Sequence, residues 1–162
     1  MSIEAGVLVG LDLEVLHWHL PNDRSGGALP DSRDLWDVIL EHRDRVLGFA
    51  HSHPGSGVPS PSYEDVTTFA AIEAALGKRL VWWITSSDSF SEWCWVGPRK
   101  LDYAQGPALH TPEWMAELRQ KSEYHYDRPV AALADQIRQA EDERVLAMFA
   151  MMVDGSTGAD DV

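Results

Sequence analysis

The apolar positions of this chain fall into short runs typical of strands, separated by stretches with helical spacing. The runs predict a strand or strand pair over residues 4–20, a buried strand over 46–50, and two further strands over 79–85 and 90–96. The polar residues 86–89 lie between the last two runs and predict a turn that joins them as a hairpin. The sequence therefore predicts a sheet that contains at least one antiparallel pair.

Two helices are predicted between these strands. The first begins after Asp31 or Ser32, either of which can cap a helix, and runs to about Arg43. Its predicted buried residues are Leu35, Trp36, Ile39 and Leu40. The second covers residues 63–76 and ends at Gly77, a residue type that commonly terminates helices.

Two more helices are predicted near the end of the chain. Thr111 is the predicted cap of the third helix and Pro112 its first residue. The predicted buried residues of that helix are Trp114, Met115 and Leu118. The fourth helix covers 127–152, and residues 153–162 are small and polar, as is typical of a disordered tail. We therefore predict a single α/β domain over 1–152, with a mixed β-sheet flanked by helices.

The charge of the chain limits the classes of partner. Its 162 residues include 13 basic and 26 acidic side chains, which give a formal net charge of −13. Nucleic acids and anionic membranes require a positive surface, so neither is an expected partner. The single cysteine, Cys94, excludes an intramolecular disulfide and fits a reducing compartment. Because no leader or long apolar run is present, we expect a soluble, cytoplasmic protein.

The chemistry of the chain is concentrated between residues 51 and 65. His51 and His53 follow the strand predicted over 46–50, and residues i and i+2 of a strand point to the same face. A loop rich in proline and glycine leads from there to Ser62-x-x-Asp65, which opens the second helix. Two imidazoles and one carboxylate, with a fourth position left for water, are the ligand set of a catalytic zinc site.

Each part of this pattern also has a purely structural interpretation. Ser62-x-x-Asp65 is an ordinary capping pattern at the start of a helix, and this interpretation is compatible with a metal site. A second pair of histidines, His17 and His19, has no carboxylate at a comparable spacing on a following helix. We therefore interpret that pair as structural.

The complete pattern resembles the JAMM zinc metalloproteases, also called the MPN or JAB type. Members of this family have a glutamate near an early strand, then H-[ST]-H-P, and then S-x-x-D. The resemblance spans about residues 4–97, with one residue more than the usual spacing between His53 and Ser62. The matching positions are Glu4, His51, His53, Ser62 and Asp65.

The resemblance implies an MPN/JAB-like fold, related to that of cytidine deaminases, and a function for each matching residue. His51, His53 and Asp65 would bind Zn²⁺, and Glu4 would act as the general acid and base. Glu14 is the alternative to Glu4, whereas Glu41 is disfavoured because its helix is expected to face it towards solvent. The Ser62 hydroxyl is the candidate donor to the oxyanion.

The resemblance also implies a substrate class. The expected activity is hydrolysis of peptide or isopeptide bonds at the C-terminal tails of ubiquitin-like or sulfur-carrier proteins. One alternative is a zinc hydrolase of a small amide, such as an amino-acid conjugate, which a narrow cleft closed by the loop 21–30 would favour. The other is a non-catalytic MPN interaction module, which has no need to retain Glu4 together with all three ligands. The sequence does not indicate an oligomeric state.

Overall fold

The computed structural model of the chain describes residues 2–123, which belong to one compact unit. These residues form six strands and three helices. The strands are β1 (Gly6–Gly10), β2 (Val15–His19), β3 (Val46–Ser52), β4 (Val81–Thr85), β5 (Phe90–Trp95) and β6 (Tyr103–Gln105). The helices are α1 (Arg33–Glu41), α2 (Tyr63–Leu76) and α3 (Trp114–Lys121). The helix predicted over 127–152 and the tail predicted over 153–162 lie outside the described residues.

All six strands of the described region belong to one mixed sheet. Their order is β2-β1-β3-β4-β5-β6, and only β3 and β4 are parallel to each other. A parallel pair needs a long crossover connection, and α2 lies in the connection between these two strands. The predicted α/β class, the mixed sheet and the hairpin of β4 with β5 are confirmed.

Helices cover both faces of the sheet. Side chains of α1 and α2 pack with Leu8 of β1 on one face, whereas side chains of α3 pack with Val7 and Val9 on the other. This division follows from the alternation of side chains along a strand. Because both faces are buried, β1 and β3 are apolar almost throughout rather than alternately apolar and polar. No helix of the described region has the length and apolar character required to cross a bilayer.

The observed boundaries of α2 and α1 agree with the predicted ones more closely than those of α3 do. Ser62 caps α2 and Gly77 ends it with a left-handed backbone (φ 66°), as predicted. Ser32 caps α1 through its side chain, but this helix ends at Glu41. Leu40, predicted to be buried, is 51% exposed, because it lies about 100° around the helix from the buried Ile39.

The predicted start of α3 is wrong. The helix begins at Trp114, and Glu113 occupies the capping position without a side-chain hydrogen bond. Pro112 accepts a hydrogen bond from the Met115 N–H (3.0 Å), so these residues form a tight turn that precedes the helix. Thr111 is therefore not the cap and Pro112 is not the first helical residue. The predicted buried face of α3 is confirmed.

Glu73 of α2 is an acidic side chain buried inside the domain. Its carboxylate accepts hydrogen bonds from Arg79 Nη1 (2.6 Å), Leu80 N (3.1 Å), Trp82 Nε1 (3.0 Å) and the Tyr103 hydroxyl (2.8 Å). Burial and the hydrogen bond to Glu73 together raise the pKa of Tyr103, so its hydroxyl keeps the proton that it donates. The carboxylate thus connects α2 to β4 and to the edge strand β6.

Replacing Glu73 with alanine is expected to lower the free energy of unfolding by about 2–6 kcal/mol, since two buried donors, Leu80 N and Trp82 Nε1, would each lose an acceptor at a cost of about 1–3 kcal/mol. Urea denaturation of the full chain measures this change. Glu41→Ala is the matched control, because that glutamate is exposed near the end of α1, and it should change stability by less than about 0.5 kcal/mol. Similar losses in the two variants would contradict the structural role of Glu73.

Candidate metal centre

Two hydrogen-bonded neighbours of β3 fix the positions of the histidines. The strand continues through Ser52, further than predicted, so His51 lies inside the sheet opposite Gly6 of β1 and Ile84 of β4. His53 follows the end of the strand, and its N–H donates to the Thr85 carbonyl (2.8 Å). His51 and His53 present their rings to one point, as the i, i+2 spacing predicts.

His51, His53 and Asp65 bring three possible ligand atoms together. The two Nε2 atoms are 2.9 Å apart, and Asp65 Oδ1 and Oδ2 lie 3.1 Å from His51 Nε2 and 3.2 Å from His53 Nε2 respectively. Ligands about 2.0–2.1 Å from a tetrahedral zinc ion are separated by about 3.3 Å, which is close to these spacings. The group can therefore hold a metal ion.

The start of α2 orients the carboxylate of this group. Asp65 Oδ2 accepts a hydrogen bond from the Ser62 N–H (2.6 Å), and Ser62 Oγ accepts one from the Asp65 N–H (3.1 Å). This reciprocal capping box confirms the structural interpretation of the pattern. Burial alone would raise the pKa of Asp65, but the hydrogen bonds from His51 and His53 outweigh it and hold that pKa well below its usual range.

Ser62 combines its capping role with a place in the wall of the cleft beside the ligands. Its oxygen uses a lone pair to accept the bond from the Asp65 N–H. The hydroxyl hydrogen is not used in that bond, so the same group can still donate to another acceptor. Capping and donation to a substrate are therefore compatible.

Glu4 lines the same cleft, and its backbone is held on both sides. The Glu4 N–H donates to the Ser25 carbonyl (2.8 Å). The next residue, Ala5, forms two hydrogen bonds with Ser52: its N–H donates to Ser52 Oγ (2.9 Å), and its carbonyl accepts from the Ser52 N–H (3.0 Å). The Ile3 N–H also donates to the Ser122 carbonyl (2.9 Å). These hydrogen bonds hold the backbone of residues 3–5 in place.

Burial raises the pKa of the Glu4 carboxyl, while the nearby His51 and His53 act in the opposite direction. A raised pKa makes a carboxylate a better proton acceptor. The Glu4 side chain therefore has the environment expected of a general base beside the candidate ligands.

The two other candidate glutamates, Glu14 and Glu41, lie away from the ligands. Glu14 follows the Gly10 end of β1, whereas the Gly6 end pairs with His51. Its carboxylate forms an ion pair with Arg45 (2.8 Å), which lowers the pKa of Glu14. Glu41 is exposed at the end of α1. Of the three candidates, Glu4 alone lines the cleft that contains the ligands.

The remaining chemistry-bearing residues are not in the ligand group. His19 is buried, with Nε2 at 2.8 Å from the Pro30 carbonyl, and burial lowers its pKa. His19 lines the cleft, but neither it nor His17 belongs to the three-residue group of the described region. Burial raises the pKa of the Cys94 thiol, which disfavours the reactive thiolate form.

The loop between the histidines and α2 is held by the β4–β5 turn, a contact that the sequence did not indicate. Gly57 N donates to Asp88 Oδ1 (2.7 Å), and the Gly57 carbonyl accepts from Ser86 Oγ (2.7 Å). Further along the loop, the Pro59 carbonyl accepts from Ser91 Oγ (2.7 Å). These hydrogen bonds fix the path of the segment that joins the two histidines to Asp65.

The chain was compared with protein-family models and with curated proteins, and neither comparison found a match. The resemblance to the JAMM metalloproteases therefore rests on the motif residues, and membership of that family stays a prediction. All five of those residues line one cleft of about 560 Å³.

Proposed function

We propose that this chain is a zinc-dependent hydrolase of the JAMM type, which cleaves peptide or isopeptide bonds. The observation that carries the proposal is the convergence of two imidazoles and a carboxylate in a cleft that Glu4 and Ser62 also line. A ligand set of two histidines and one carboxylate is typical of catalytic zinc sites, whereas structural zinc sites are usually closed by four protein ligands.

His51, His53 and Asp65 are the residues that would hold the ion. When bound, zinc would lower the pKa of a coordinated water towards ~7 and would polarise a carbonyl oxygen. The backbone N–H of Ser62 fixes the Asp65 carboxylate through a 2.6 Å hydrogen bond, so the ligand is oriented by the helix start.

Glu4 and Ser62 supply the remaining chemistry. The Glu4 carboxylate accepts a proton from the attacking water and then delivers it to the departing amine. The Ser62 hydroxyl donates a hydrogen bond to the carbonyl oxygen of the scissile bond as negative charge develops on it. Both groups act from backbone segments that hydrogen bonds already hold in place.

Ser62→Ala is expected to slow turnover by ~10²–10³-fold with zinc retained, because one oxyanion donor is lost. Loss of the cap alone would cost only about 1 kcal/mol of stability. Steady-state kinetics and urea denaturation of the same preparation separate these effects. Ser32→Ala is the matched control, since Ser32 caps α1 in the same way and does not line the cleft. Unchanged turnover per folded Ser62→Ala molecule would leave Ser62 with the capping role only.

The proposed substrates are the C-terminal tails of ubiquitin-like or sulfur-carrier proteins. The second candidate is a small amide, and a specific observation favours it. Residues 27–29 of the loop 21–30 line the cleft beside the ligands, as a narrow site would require. A non-catalytic MPN module is a third possibility, but the placement of Glu4 in the cleft argues against it, because a scaffold does not need a base there.

Metal analysis followed by two assays tests these functions. The purified full chain should contain one zinc ion and should cleave either a ubiquitin-like protein fused to a reporter peptide or a neutral dipeptide amide. Cleavage of the fusion alone supports the tail-specific function, and cleavage of the dipeptide alone supports the small-amide function. Zinc-loaded protein that cleaves neither substrate would contradict the hydrolase proposal and favour the binding module.

A further inference from the structure

The cleft beside the candidate metal centre has an apolar side that the proposed chemistry does not use. Six large apolar residues line it: Leu29, Leu35, Phe49, Phe69, Ile72 and Trp82. Five of them are buried members of the core between the sheet and helices α1 and α2, and Leu29 packs against that core. We call these six residues the apolar hollow. It is a recess in the core that opens beside the ligands rather than an exposed surface patch.

The hollow is built from the same two elements that carry the ligands. Phe49 precedes His51 by two residues on β3, a rise of about 6.6 Å along one face of the strand. Phe69 follows Asp65 by four residues on α2, about 6 Å along one face of the helix. The rings of His51 and Phe69 meet edge to face with centroids 6.3 Å apart. If a substrate is bound with its cleaved bond beside the candidate metal ligands, the side chain next to that bond would therefore reach the hollow.

A glycine keeps the hollow in this shape. Gly6 lies opposite His51, and a Cβ atom at this position would clash with the ring of Phe49 and contact Leu29 at 3.0 Å. The absence of a side chain at Gly6 lets both apolar residues pack over β1. The wall of the hollow nearest to the ligands thus depends on this close approach.

The charges around the cleft restrict what can enter. Among the described residues that line it, none is lysine or arginine, whereas four are acidic: Glu4, Asp31, Glu64 and Asp65. An anionic side chain in the hollow would lose its hydration without a protein cation to compensate, which is costly. A neutral apolar side chain would instead gain the free energy of leaving water.

We propose that the apolar hollow is a specificity pocket for a side chain of leucine or phenylalanine size, on a residue next to the cleaved bond. The inference rests on the proposed hydrolase function and narrows its substrate class to neutral amides with such a residue. The cleft volume of about 560 Å³ lies within the ~300–1,000 Å³ range of clefts that hold small molecules. A substrate with glycine on both sides of the bond would leave the hollow unfilled.

A panel of dipeptides blocked at both ends tests this specificity on the zinc-loaded full chain. N-acetyl-X-Gly-amide and N-acetyl-Gly-X-amide, with X as Leu, Phe, Gly or Asp, place each side chain on either side of the bond. At one of the two positions, kcat/KM for Leu or Phe should exceed that for Gly by at least ~100-fold, and Asp should be no better than Gly. Equal kcat/KM values for Leu and Gly at both positions would overturn the proposal.

Leu29 is the position at which the pocket can be altered with least damage to the core, since it lies on the loop 21–30 and is only partly buried. Leu29→Trp should fill the hollow and reduce the Leu-over-Gly preference at least ~10-fold, and Leu29→Ala should also reduce it by removing contacts. Leu20→Trp is the matched control, because Leu20 is 36% exposed and does not line the cleft. An unchanged preference in both folded Leu29 variants would contradict the assignment.

Binding without turnover separates this proposal from the proposed function. The Glu4→Gln full chain is titrated calorimetrically with N-acetyl-leucinamide, N-acetyl-glycinamide and N-acetyl-aspartamide, and the leucine probe should bind at least ~10-fold more tightly than the other two. Preferential binding of the leucine probe by a protein that hydrolyses nothing would retain the pocket and reject the hydrolase. Hydrolysis of the dipeptides with equal binding of the three probes would retain the hydrolase and reject the pocket.

Discussion

Glu4→Gln is expected to reduce hydrolysis by ~10²–10⁴-fold while the protein keeps its zinc, because the amide cannot accept the proton of the attacking water. Zinc should stay bound because Glu4 is outside the group of candidate ligands. Backbone hydrogen bonds to Ser25 and around Ala5 hold this position, so the substitution should leave its surroundings in place. Zinc analysis and kinetics on the same preparation measure both quantities, and the inactive variant should retain bound substrate.

Glu14→Gln is the matched control for this experiment. This substitution makes the same change of carboxylate to amide, but at a residue that forms an ion pair with Arg45 and follows the Gly10 end of β1, away from His51. Activity should stay close to that of the unaltered protein. If Glu14→Gln were the inactive variant and Glu4→Gln the active one, the general base would have been assigned to the wrong glutamate.

The second large effect is expected on metal content. A His51→Ala/His53→Ala variant should lose most of its bound zinc, because only Asp65 of the three candidate ligands remains. We expect this variant to remain folded. Metal analysis after dialysis against a weak chelator, together with circular dichroism, measures both outcomes. A His42→Ala/His110→Ala variant removes two histidines outside the ligand group and should keep full occupancy. Full zinc occupancy in the first variant would refute the metal centre.

Elements with strong local signals were predictable from the sequence. Ser62 and Gly77 mark the two ends of α2 by capping chemistry that depends on few neighbours, and both boundaries are confirmed. Thr111 and Pro112 carry an equally good local signal, yet they form a turn before α3 instead of its first residues. Local propensity does not decide a boundary when a short helix is held mainly by packing of its buried face.

Long-range pairing was the part that the sequence did not provide. The edge strand β6 has three residues, too few for a periodic signal, and it is formed by pairing with β5. The sequence also left Glu4 and Glu14 as alternatives for the base. The antiparallel register of β1 and β3 distinguishes them, because it places Gly6 and not Gly10 beside His51.

The apolar hollow was likewise not predictable from the sequence, because it depends on how helices pack against the sheet. Phe69 and Ile72 lie three residues apart on α2, a helical spacing, and both are buried. Whether such residues close a core completely or leave a recess depends on the separation of two helices from a sheet. That separation is a property of the assembled fold, so periodicity along one helix cannot indicate it.

The hydrogen bonds around the loop 54–61 have a consequence for how the centre would respond to its ion. Ordering a loop has an entropic cost. Here the loop is already ordered in the folded chain by the hydrogen bond of Gly57 to the β4–β5 turn, and the carboxylate of Asp65 is already oriented by its hydrogen bond from Ser62. An entering ion therefore encounters ligands that are already gathered. In metal-dependent small domains, by contrast, most of the binding free energy is used to fold the chain. In this chain that free energy would be available for affinity and for discrimination among ions, and we expect a bound metal to be removable and exchangeable while the domain stays folded.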